Sequence, residues 1–172
     1  MPLRLLSGFI SVFLLALFTE SVSAQGIDGF QDFKVGMTVS QVEKIASISP
    51  SSREEKGQWF RNANEVEIIG EFYTQEFLFN VENLLVQVNV YREFEAIDVS
   101  CTNEFEESFG AIRATYGEPD EPAERKIFGG VAAMTSVRFS RSDGSRVILM
   151  TNFLDKCLVH VAYVGAAGGA SF

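Results

Sequence analysis

The stretch FKVGMTVSQVEKI, Phe33–Ile45, carries the start of a helix in nearly every position. Thr38 can cap the amides of a first turn, and Gln41 three residues on can reach back to complete a capping box. Met37 and Val42 stand where a hydrophobic staple packs, and Val39, Val42, Ile45 and Ala46 recur at helical spacing. Gly36 lets the chain turn sharply out of the Phe30/Phe33 segment, and Ser49-Pro50 marks a stop. The spacing therefore predicts a helix from Thr38 to the residues before Ser49.

Beyond it the period changes from helical to alternating. Gln58–Asn62, Val66–Tyr73, Phe77–Val81 and Leu84–Tyr91 are rich in Phe, Val and Ile, with Asn62-Ala63-Asn64 and Glu82-Asn83 as turns, so they predict an antiparallel meander. A second helix is expected with Asn103 as its cap, Glu106 at the third position and a stripe of Phe105, Phe109, Ile112 and Tyr116, ended by Gly117 and Pro119. Strands return at Glu124–Phe128, Met134–Ser140, Arg146–Phe153 and Cys157–Val164, with Asp143-Gly144 at the centre of a hairpin turn.

The two stretches are alike: a capped helix, a proline-marked exit, then about four strands. Phe77-x-Phe79 before Glu82-Asn83 mirrors Val137-x-Phe139 before Asp143-Gly144. The expected fold class is α+β, two helix-plus-antiparallel-meander repeats, about residues 30–95 and 96–164, packed as one unit. One helix on four strands buries too little to stand alone. Residues 25–164 are thus expected to form a single domain, followed by a flexible tail at 165–172.

The chain has 172 residues, 47% hydrophobic and 12% aromatic, enough for a real core. Its formal charge of −9 argues against nucleic acid and against an anionic membrane surface, because an acidic surface repels both. At the N-terminus Arg4 precedes the apolar run Leu5–Phe18, and Val22 and Ala24 fit the small-residue positions of a signal-peptidase site. Residues 1–24 read as a cleaved signal peptide and the product as periplasmic or secreted. The run falls short of the ~20 residues a membrane span needs, which disfavours the alternative of an uncleaved anchor. No cysteine follows it, which closes the lipoprotein route, and no later segment is apolar enough to insert.

GMTVSQV, Gly36–Val42, resembles the Gly-Met-Thr-x-x-Gln-Val helix start of the outer-membrane assembly lipoproteins and of the β-lactamase inhibitor protein family. YGEP, Tyr116–Pro119, is similar to the Gly-x-Pro exit of those modules. The chain departs from them in lacking a lipid-bearing cysteine and in ending its first helix with SISP. The resemblance implies a small exported α+β module that binds proteins without catalysis, and it assigns no functional residue.

The residues themselves offer little chemistry. His160, the single histidine, alternates with Leu158 and Ala162 and lacks an identifiable nucleophile, so it reads as structural. One histidine and two distant cysteines match no metal-site spacing, and neither a metal nor a cofactor is expected. The acidic groups Asp28/Asp32, Glu54/Glu55, Glu104/Glu106/Glu107 and Glu118/Asp120/Glu121 follow no calcium-loop pattern, and the third of these groups, at 104–107, suits a helix dipole. Gly129-Gly130 and the Gly165–Gly169 run lack a phosphate-cradle context, and two helices have no place in an outer-membrane barrel wall, despite the terminal Phe172. Sixteen Phe, four Tyr and one Trp can fill a core between sheet and helices; the alternative is a binding face at Trp59, Phe60 and Tyr73. Cys101 and Cys157 are expected to pair, since export places them in an oxidising compartment. Three function classes remain: a protein-binding or envelope-assembly module first, a small-ligand binding domain second, a small hydrolase third.

Overall fold

The computed structural model describes residues 27–52, 57–68, 70–95, 99–128, 132–153 and 156–166. The expected signal peptide at 1–24, Gly129-Gly130 and all of the expected tail after Ala166 lie outside the described residues. The fold is α+β and dominated by strands. A short hairpin, β1 (Gly29–Phe30) and β2 (Phe33–Lys34), leads into α1 (Val39–Val42). Then come β3 (Ile48–Pro50), β4 (Gln58–Asn62), β5 (Val66–Ile68), β6 (Glu71–Phe79) and β7 (Leu85–Phe94). The long helix α2 (Val99–Tyr116) follows, and β8 (Glu124–Phe128), β9 (Ala132–Ser140), β10 (Arg146–Phe153) and β11 (Cys157–Val164) complete the described elements. Nine strands form one antiparallel sheet in the order β3-β4-β6-β7-β11-β10-β9-β8, with β5 paired to the first residues of β6.

The opening motif forms its cap but only one turn of helix. Gln41 reaches back so that its Oε1 accepts from the Thr38 amide at 2.8 Å. Met37 and Val42 meet in the core as the staple requires, and Val42 is fully buried. After Val42 the chain turns, and Ile48–Pro50, expected as the end of the helix, is an edge strand on β4. Proline is tolerated there because an edge strand leaves half its amides unpaired. α1 exists because the chain around it is fixed from outside: the Gly36 amide donates to the Leu85 carbonyl at 2.8 Å and the Leu85 amide to the Met37 carbonyl at 2.7 Å.

Two other elements differ from expectation. The segments expected at Val66–Tyr73 and Phe77–Val81 are the β5–β6 hairpin, reversed at Gly70 (φ +82°), and one continuous β6 running to Phe79. Polar Thr74, Gln75 and Glu76 hide that continuity from an alternation test, although Gln75 and Glu76 are buried. α2 begins at Val99, so Asn103 lies inside the helix and is not its cap. Its end is as expected, with Gly117 at φ +82°.

Register divides the side chains cleanly. Phe77, Phe79, Leu85, Val88 and Val90 face β1–β2 and α1 in one cluster, while Val137, Phe139, Val147, Leu149 and Val159 meet Cys101 and Ile112 of α2 in a second. Tyr163 packs against both, so the two clusters form one continuous layer on a single face of the sheet. Cys101 and Cys157 are fully buried, with Cα atoms 6.2 Å apart, and form a disulfide that fastens the first turn of α2 to the start of β11. Gly165 is not loose: its amide donates to the Val86 carbonyl at 3.0 Å.

Candidate functional site: a cleft on the face opposite the helices

Both helices pack on one face, and the other face carries a cleft. Residues alternate across β7, β11, β10 and β9 so that Gln87, Leu158, His160, Ala162, Ile148, Met150, Asn152 and Met134 share that second face. Trp59 of β4 joins them through its register with Leu78 and, beyond it, Gln87. Together with Thr151 these residues line a cavity of about 410 Å³. On a flat sheet the five strand spacings from β4 to β9 would hold Trp59 and Met134 roughly 24 Å apart. The sheet must curl around the cleft for both to line it. The volume falls within the ~300–1,000 Å³ of small-molecule sites, and Trp59, the methionines, Ile148, Leu158 and Ala162 make the wall largely apolar. Methionine suits such a wall because its unbranched, polarizable chain adapts to what it contacts.

The floor is polar. LVQVNVY at the start of β7 sends Val88 and Val90 into the helix-side core and Gln87 and Asn89 to the cleft side. Gln87 is 5% exposed and Asn89 0%. Gln87 Nε2 donates to Asn89 Oδ1 at 2.7 Å, while Gln87 Oε1 and Asn89 Nδ2 have no hydrogen-bonding partner. An unsatisfied buried polar atom costs about 1–3 kcal/mol, and these two belong to one central strand.

A charged and aromatic group borders the floor. His160 meets the Tyr91 ring edge-on at 6.1 Å, and the Arg61 guanidinium lies 5.8 Å over the same ring. Arg61 donates Nη2 to the Tyr91 hydroxyl, and Arg61 Nε stands 3.8 Å from the buried Glu76 carboxylate. The hydrogen bond to Tyr91 raises the Arg61 pKa above its ordinary value, with Glu76 adding to it against the opposing effect of burial.

A smaller cavity of about 210 Å³ lies between α2 and the sheet, among Phe30, Ile68, Tyr73, Ile112 and Tyr163. Three of its polar residues, Glu71, Tyr73 and Glu104, belong to one network with Arg92. The Tyr73 hydroxyl donates to Glu104 Oε1 at 2.6 Å, Arg92 Nη1 donates to Glu104 Oε2 at 3.1 Å, and Arg92 Nη2 also pairs with Glu71 at 2.7 Å. Burial, and then the hydrogen bond to Glu104, hold the Tyr73 phenol far above the usual range. This network fastens the helix to the sheet.

The three aromatic residues of the expected binding face do not share a face. Trp59 lines the cleft, whereas Phe60 packs edge-on against Phe79 at 5.4 Å in the helix-side core and Tyr73 is tied to Glu104. Ile45, Phe72, Val81 and Val99 are the exposed large apolar residues among those described, and they sit on four different segments. No group of three metal-binding side chains occurs among the described residues, and no described helix is long and apolar enough to cross a membrane. Reading the sequence alone missed Gln87 and Asn89. Polar residues at alternate positions of an apolar strand look solvent-facing, yet both are buried here. No protein-family model, curated protein sequence or solved structure matches the chain.

Proposed function

We propose that the protein is an exported binding domain that holds a small, largely apolar molecule in the cleft without turning it over. The observation that carries this reading is a largely apolar cavity of about 410 Å³ lined by Trp59, Met134, Ile148, Met150, Leu158 and Ala162, with Gln87 among its few polar residues. Export is supported by the tripartite N-terminal pattern and by a buried disulfide, a bond that persists in oxidising compartments. Intact mass of the exported protein tests it, and a mature species beginning at Gln25 is expected. Trp59, the single tryptophan, tests the binding. A saturable change in its emission on titration with a neutral apolar probe such as Nile red is expected, and is abolished when Met150→Arg fills the cleft with a charge. A hydrolase activity lost on His160→Ala would overturn the non-catalytic reading.

Protein binding, or a role in envelope assembly, is the second reading. It is favoured by the strand order. Helix, then β3, β4, β6 and β7 inward from one edge, mirrors helix, then β8, β9, β10 and β11 inward from the other. That palindrome is what two fused repeats would produce, and it agrees with the resemblance to the duplicated inhibitor and assembly modules. Under this reading a partner recovered from the envelope fraction would bind in a defined ratio and Nile red would not compete with it.

A further inference from the structure

Two arginines stand beside the cleft where β9 and β10 pair. Arg138 alternates with Val137 and Phe139, which enter the helix-side core, so Arg138 shares the face of the cleft. It is directly opposite Ile148, a residue of the cleft wall, and Arg146 lies two positions before Ile148 on the same strand. Opposite side chains on paired strands start about 5 Å apart and diagonal ones within about 8 Å, so both guanidinium groups can reach the rim beside Ile148. Neither is buried: Arg138 is exposed and Arg146 half-buried.

Their charges are not neutralised from within the fold. Lys34, Arg61, Arg92, Arg113 and Lys156 each pair with a carboxylate, and Arg141 lies over the Tyr116 ring. Among the described residues no carboxylate stands within ion-pair distance of Arg138 or Arg146. Asp120, brought close by Ser140, accepts from the Ser140 amide at 2.8 Å and from its hydroxyl at 2.6 Å instead. Two like charges side by side, in a chain with 23 acidic and 14 basic residues, make a positive rim on an apolar cleft. Toward the β4 end, Arg61 is already engaged by Tyr91 and Glu76.

We propose that the ligand of the cleft is an amphiphile with an anionic head, a medium-chain alkyl carboxylate, held at its head by Arg138 and Arg146 and running over Ile148, Met150 and Ala162 toward Trp59. The proposal rests on the ligand-binding reading above and adds the chemical class of the ligand. A guanidinium matches a carboxylate with two parallel N–H donors, and two of them can share its oxygens. The apolar wall takes the chain out of water while the head stays at a solvated rim, so no charge is buried without a partner. The overall charge of −9 opposes an anion only weakly there, because charges beyond about 8 Å are screened at physiological salt.

The test is a Trp59 fluorescence titration of the full mature chain at neutral pH with decanoate, decan-1-ol and decyltrimethylammonium, each below micelle formation. Decanoate is expected to bind about tenfold or more tightly than decanol, the value of its charge-assisted hydrogen bonds, and the ammonium to bind weakest. The preference for decanoate shrinks as salt is raised. In the double variant Arg138→Gln, Arg146→Gln, decanoate falls to the affinity of decanol while decanol itself is unchanged. Wild type that binds decanol as tightly as decanoate, or a preference for decanoate that survives in the double variant, overturns the proposal and leaves ligand binding standing. Failure of all three and of Nile red to bind overturns the ligand-binding reading itself. The comparison among ligands and its salt dependence are measured on wild type, so they decide the matter even if the variant fails to fold.

Discussion

Glu104 holds the long helix in place by charge where its neighbours do so by packing. Its side chain is 9% exposed and is shared between a phenol and a guanidinium, so its desolvation is offset by two charge-assisted hydrogen bonds. Breaking such a group on one side leaves Arg92 partly buried with Glu71 as its remaining carboxylate. Glu104→Ala is therefore expected to cost about 3 kcal/mol, the low end for a broken buried pair, read by urea denaturation. The phenols make a second expectation. Tyr73 and Tyr163 are both held far above the ordinary tyrosine range, mainly by burial, and Tyr116 is raised for the same reason. A folded pKa raised above the unfolded value favours the protonated native state. Its stabilisation is fully present below about pH 10 and is lost as pH rises beyond it. Phenolate absorbance should appear together with loss of circular dichroism; phenolate formation in a still-folded chain would contradict the assignment. None of this was legible in the sequence, where Glu104 next to Asn103 looks like a first-turn acid. Starting the helix at Val99 moves Glu104 into the second turn and onto the buried side with Cys101 and Ile112.

Elements were most legible where pattern and punctuation agree. β4, β8, β10 and β11 have the boundaries that alternation and turn residues predict, and the Asp143-Gly144 turn closes as expected. There Asp143 Oδ1 accepts from the Ser145 amide at 2.8 Å, and Gly144 takes φ +86°. α1 was over-read because caps mark where a helix begins and carry no information on its length; tertiary pairing of Ile48–Pro50 with β4 won over helical spacing. The disulfide was legible from compartment and position together. It closes a sequence separation of 56 residues, which in the chain-entropy picture stabilises by about 4 kcal/mol. A Cys101→Ala, Cys157→Ala double variant should lose that amount and melt lower, as should wild type under reductant. Thiol titration of the unreduced, denatured protein should find no free thiol, and finding two per chain would contradict the bond.

At the scale of the whole molecule, the decisive contact is the pairing of β7 with β11, eight register positions that join the N-terminal strands to the C-terminal ones. Sequence reasoning reached the conclusion that neither half stands alone but could not locate the join, because nothing local in LVQVNVY or CLVHVAYV names its partner across some 70 residues. The cleft depends on this join: Trp59 comes from one side of it and Met134 and Met150 from the other. Tyr163 adds to the coupling by packing on both helix-side clusters, with Phe30 4.8 Å from its ring. The chain should thus unfold as one unit, with Trp59 emission and far-ultraviolet circular dichroism following a single transition. Val161 pairs with Val90 at the middle of the join. β11 lies between β7 and β10, so every amide along it points at a neighbouring strand, and Val161→Pro must remove a ladder hydrogen bond whichever way that amide faces. The cost of about 3 kcal/mol or more falls on both halves at once. Trp59, two strands away from β7, should then lose its buried emission at the same denaturant concentration at which the sheet signal is lost. A variant in which Trp59 stays buried while half the sheet signal disappears would mean that the N-terminal strands hold together without the join, and that the cleft is assembled from two independent bodies.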